Sequence, residues 1–60
     1  MNKVELLKEF ERVLQENFYD RYITEADMNN ELNYFKKWLE KAKVGDTYYY
    51  KLELYELTEI

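Results

Sequence analysis

The chain has 60 residues with no Cys, His, Ser or Pro and a single Gly, and its 13 acids against nine bases give a net charge of −4. Those absences exclude a disulfide framework, thiolate or imidazole metal ligation, the usual nucleophile and base pairings, and a glycine-rich phosphate loop. The acidic balance argues against direct binding to nucleic-acid backbones or anionic membranes, and the length allows one marginal domain over residues 1–60, since chains of this size bury only about 60% of their unfolded surface.

The first element is an amphipathic helix over residues 3–18. Leu7, Phe10, Leu14 and Phe18, flanked by Leu6, Val4 and Val13, recur at three- and four-residue spacing. Asn2 followed by Glu5 matches a helix-capping arrangement. Met1-Asn2-Lys3-Val4-Glu5 brings an acid at once and no apolar run of signal or membrane-spanning length follows. A cytoplasmic location without a membrane span is therefore expected.

A second helix is predicted over residues 25–43. Thr24-Glu25-Ala26-Asp27 is a capping box, with Ile23 and Met28 at the staple positions. Met28, Leu32, Phe35, Leu39 and Ala42 then form a continuous stripe that Trp38 widens. Glu25 and Asp27 open this helix and Lys36, Lys37, Lys41 and Lys43 close it, each sign complementing the nearer end of the dipole. Gly45 follows as a left-handed terminator. The connection from Tyr19 to Ile23 is short enough for an antiparallel helical hairpin.

After Gly45-Asp46 the texture changes, and residues 47–57 alternate as a strand does. Tyr48, Tyr50, Leu52 and Leu54 fall on one face, with Tyr49, Tyr55 and Leu57 on the other. The apolar phase slips near Leu54-Tyr55, and Tyr50, Leu54 and Leu57 also fit a helix face. No Gly, Pro or Asn follows residue 46 to turn the chain, so a strand without an internal hairpin is expected. Its backbone groups then need a ladder partner: residues 18–23, the same strand of a second copy, or a strand of another protein. The resulting fold class is α+β, a two-helix hairpin followed by a C-terminal strand that pairs across a homodimer, which also enlarges a small core.

Candidate function lies on the surface. Eight acids and four bases lie in residues 1–31 and five of each in residues 32–60, so the net charge belongs to the first half. Glu5, Glu9, Glu16 and Asp20 lie near one stripe of the first helix, interrupted by Arg12. Four helical residues rise about 6 Å, comparable to the spacing of nucleic-acid phosphates, and such an array can occupy a protein surface meant for DNA or RNA. The same charges serve solubility. Seven tyrosines are the most unusual compositional feature. Tyr48 and Tyr50 fit a core, whereas Tyr49, Tyr55 and Leu57 on the opposite strand face are expected to contact a partner, tyrosine being enriched at interfaces. No catalytic set, metal site or cofactor is expected.

In shortness, acidic first helix, lack of catalytic residue types and Tyr-rich segment from Tyr48 to Tyr55, the chain resembles the small acidic anti-defence inhibitors of bacteriophages and other mobile elements, including anti-CRISPR proteins. The resemblance implies stoichiometric binding to a host nucleic-acid enzyme such as a CRISPR nuclease. The expected function is thus non-catalytic inhibition through the acidic helix face and the Tyr-rich strand, with a small oligomerisation or adaptor module as the alternative.

Overall fold

In the computed structural model, which describes residues 1–60, the chain runs α1 (Lys3–Tyr19), α2 (Glu25–Lys41), β1 (Thr47–Tyr50) and β2 (Glu53–Glu56). The α+β class stands, with an antiparallel β1–β2 sheet in place of the single expected strand. Local chemistry explains both helix starts. The Asn2 side chain accepts from the Glu5 N–H at 2.9 Å while the Asn2 N–H donates to the Glu5 carboxylate at 3.1 Å. Thr24 and Asp27 make the same reciprocal pair at 3.1 and 3.2 Å. Each box satisfies donors that the first helical turn would otherwise leave unpaired.

The helix ends obey different rules. Arg21 follows the α1 cap residue Asp20 with φ of 64°, its N–H donating to the Phe18 carbonyl at 3.0 Å and that of Tyr22 to the Asn17 carbonyl at 2.9 Å. These are the two bonds of a Schellman motif, built here on an arginine where glycine is the usual residue. A left-handed non-glycine residue costs roughly 1–2 kcal/mol. Arg21→Gly is therefore expected to stabilise the fold by about 1 kcal/mol and to raise Tm by roughly 4–8 °C, read by thermal denaturation.

α2 stops at Lys41, two residues before the expected boundary at 43. Ala42 is already extended, the Lys43 N–H donates to the Asp46 carboxylate at 2.8 Å, and the Asp46 N–H donates to the Lys43 carbonyl at 2.9 Å. Asp46 thus closes a β-turn in competition with the helix. Gly45 takes the third turn position with φ of 99°, which only glycine adopts without strain, so it serves the turn and not the helix end.

The largest departure is at Lys51-Leu52. The register pairs Thr47 with Glu56, Tyr48 with Tyr55, Tyr49 with Leu54 and Tyr50 with Glu53, so two residues turn the chain. Lys51 supplies the left-handed first position with φ of 54°, and its ammonium lies 5.9 Å from the Tyr22 ring and 5.7 Å from that of Tyr50. Cation–π attraction of this kind is worth about 0.5–1 kcal/mol and offsets part of the backbone strain. The ladder partner expected from a second copy lies within the chain.

The core is one cluster. Leu6, Phe10 and Leu14 from α1, Phe35 and Leu39 from α2, and Tyr50, Tyr55 and Leu57 from the hairpin region are buried. Phe10 stacks on Phe35 with ring centroids 4.0 Å apart, and Tyr48 and Tyr55 meet both rings edge-on. Aromatic residues supply the volume that a short chain cannot obtain from many aliphatic ones. The Thr58 N–H donates to the Met1 carbonyl at 3.1 Å, tying the segment after β2 to the start of α1.

Candidate functional site

Two surfaces carry the side chains singled out in the sequence. The first is the flank of α1 that bears Glu5, Glu9, Glu16 and Asp20, spaced so that all four project from one side of a 3.6-residue helix. Glu5 is bound to its own cap. Arg12 donates to both Glu9 and Glu16, one turn to either side, which places a cation within the stripe. The hydrogen bonds and charge of Arg12 hold the Glu9 carboxyl below its usual range, and the pairing with Glu9 and Glu16 makes the guanidinium harder to deprotonate. Asp20 is exposed at the C-terminal cap of α1. The stripe is a net anionic surface with fixed internal pairing, unlike a row of free carboxylates.

This flank continues onto the hairpin. An open groove is lined by Glu16, Asn17 and Asp20 from α1 and by Lys51, Leu52 and Glu53 from the turn and the start of β2. Glu53 thus lines the same groove as Glu16 and Asp20, together with the cations Arg12 and Lys51, a grouping that residue spacing alone does not reveal. A second open depression, about 500 Å³, sits at the inter-helix connection beside Phe18, Tyr19, Tyr22 and Ile23.

The second surface is the outer face of the sheet, and here the expected face assignment is corrected. Tyr49 is 73% exposed, whereas Tyr55 and Leu57 are 4% and 1% exposed and belong to the core. The cause is parity. Along one uninterrupted strand, odd residues share a face; a two-residue turn makes even residues of β1 pair with odd residues of β2. Tyr48, Tyr50, Tyr55 and Leu57 consequently face the helices. Leu54, expected inside, pairs with Tyr49 on the open face at 51% exposure, and Leu52 is fully exposed at the turn. The outer apolar residues are therefore Tyr49, Leu52 and Leu54. Because β1 and β2 each have one neighbour, each also keeps an unpaired edge.

Burial pushes the phenols of Tyr48 and Tyr50 above the usual range and that of Tyr55 up to about 12. The hydroxyls of Tyr50 and Tyr55 are buried without a hydrogen-bond partner. Such a group costs about 1–3 kcal/mol relative to a satisfied one. Tyr50→Phe is expected to leave the fold intact and to raise the urea midpoint, the gain being of order 1 kcal/mol.

No group of three or more His, Cys, Asp or Glu residues is gathered closely enough to hold a metal ion, and no helix is long and apolar enough to cross a membrane. Neither a family model, nor a curated protein, nor a solved structure matches the chain.

Proposed function

We propose that the chain is a non-catalytic cytoplasmic binding protein that inhibits a nucleic-acid enzyme, such as a CRISPR nuclease, by covering the basic surface on which that enzyme holds DNA or RNA. The observation that supports this most is the anionic flank of α1, extended across the groove by Glu53, with Asp20 and Glu16 exposed and free of any core role. Complementary potential steers association and fixes register even where individual surface pairs contribute little. Arg12 within the stripe suits a protein surface carrying at least one acid among its bases better than it suits a bare phosphate mimic.

The test combines Glu16→Lys, Asp20→Lys and Glu53→Lys, three exposed positions, none of which belongs to a helix N-terminal capping box. The triple variant is expected to keep the thermal transition and to lose at least about tenfold in affinity for the nucleic-acid enzyme recovered by pull-down, with inhibition of that enzyme lost in parallel. Recovery of no such enzyme at low and moderate salt, or unchanged affinity of the triple variant, would count against the proposal.

A second reading, an adaptor that adds its hairpin to a larger protein, is favoured by the open face of Tyr49, Leu52 and Leu54 and by the unpaired strand edges. Tyr49→Ser with Leu54→Ser is expected to abolish partner capture if this surface is the one used, while the anionic triple variant still binds.

A further inference from the structure

The outward flank of α2 carries a charge pattern that its own cap and dipole explain only in part. Asp27 and Glu31 lie one turn apart near its start, Lys37 and Lys41 one turn apart near its end, and Tyr34 sits midway between the two pairs. Asp27, Asn30, Tyr34, Lys37 and Lys41 step by three and four residues along one exposed line, with Glu31 and Trp38 half-buried beside it. Like charges one turn apart repel, and all intramolecular ion pairs of the chain are made by Arg12 on α1. The helix dipole accounts for Asp27 and Lys41 in the terminal turns. It does not account for Glu31 and Lys37, because that field fades beyond one turn from either end.

A second α2 laid antiparallel with Tyr34 on the two-fold axis resolves the pattern. Residue positions equidistant from Tyr34 then face each other, so Asp27 meets Lys41 of the other copy and Glu31 meets Lys37, and symmetry repeats both contacts. The two like-charged ends become four cross-copy pairs around a central tyrosine contact. We infer that the chain associates into a two-fold homodimer through this flank of α2, antiparallel and centred on Tyr34. The surface lies on α2 and uses none of the anionic residues of α1. The dimer does not use the strand edges, whose expected pairing β1 and β2 satisfy with each other in part.

Sedimentation velocity over a concentration series at low salt is expected to show a reversible monomer–dimer equilibrium, weakened roughly tenfold or more at about 0.5 M salt. Lys37→Glu with Lys41→Glu gives a chain whose flank is wholly acidic, and this chain is expected to sediment as a monomer with an unchanged helical circular dichroism spectrum. A second chain carrying Glu31→Lys alone leaves the Thr24–Asp27 cap intact and is expected to dimerise weakly or not at all. Mixing the two is expected to restore a heterodimer, since positions 31 and 37 then carry opposite charges across the axis in both of their contacts. A concentration-independent monomer for the native chain, or a dimer that survives Lys37→Glu with Lys41→Glu at undiminished affinity, would overturn the inference. If either variant loses its helical spectrum, Tyr34→Asp in the native background decides between the outcomes: it places two carboxylates on the axis and must dissociate the dimer.

Discussion

Phe10→Ala is expected to cost about 3–5 kcal/mol, the range for removing a buried aromatic ring, against a total stability of roughly 3–9 kcal/mol for a 60-residue domain. Much of the population should therefore lie unfolded in water at 25 °C. Phe10 is fully buried, stacks on Phe35 and receives the edges of Tyr48, Tyr50 and Tyr55, so truncation opens a cavity that borders both helices and both strands. With so few other core residues, the surroundings cannot close over it. Urea denaturation followed by circular dichroism measures the loss. Phe10→Leu, which keeps most of the volume, is expected to retain a cooperative transition, and Tyr49→Ala on the open face to stay within about 0.5 kcal/mol of the native chain. A small effect at Phe10 together with a large one at Tyr49 would mean that the sheet presents its other face to the helices.

The second large effect is alkaline unfolding. Tyr55 is raised by burial from its ordinary value of 10.0 to about 12, and Tyr48 and Tyr50 are displaced in the same direction. A group whose folded pKa exceeds its unfolded one contributes stability that is fully present below the unfolded pKa and is lost as pH rises through the folded pKa. For Tyr55 the window runs from about 10 to about 12 and the loss amounts to about 3 kcal/mol, comparable to the whole stability of a small domain. Phenolate absorbance is expected to show a late, cooperative ionisation that coincides with the loss of helical circular dichroism. Tyr55→Phe removes both that ionisation and a buried hydroxyl without a partner, so its unfolding midpoint should move to higher pH. A midpoint that stays in place would show that Tyr55 does not limit alkaline stability.

Glu9 contributes weakly at the acid end. Its carboxyl, depressed by Arg12, supplies stability above the usual carboxylate range that fades as pH falls through the folded value. Both partners are substantially exposed, so solvent screening keeps this contribution small.

The helices were legible because their determinants are local. Asn2 with Glu5, Thr24 with Asp27, and apolar residues at three- and four-residue spacing each act within one or two turns, and the observed starts at Lys3 and Glu25 follow from them. The anionic stripe was legible for the same reason, since helical periodicity alone puts Glu5, Glu9, Glu16 and Asp20 on one side. Its partial offset by Arg12 was visible only as spacing, and its continuation to Glu53 was not visible at all, because their shared groove depends on where the hairpin lies. The turn at Lys51-Leu52 carries no glycine, proline or asparagine to announce it, and in isolation its left-handed lysine is unfavourable by roughly 1–2 kcal/mol. It forms because reversing the chain there buries Tyr55 and Leu57 against Phe10 and the helices, and burying one such side chain is worth about 1.5–3 kcal/mol. Caps and periodicity thus settle where this chain is helical, while the assignment of each tyrosine to core or surface follows from long-range burial strong enough to override a local preference.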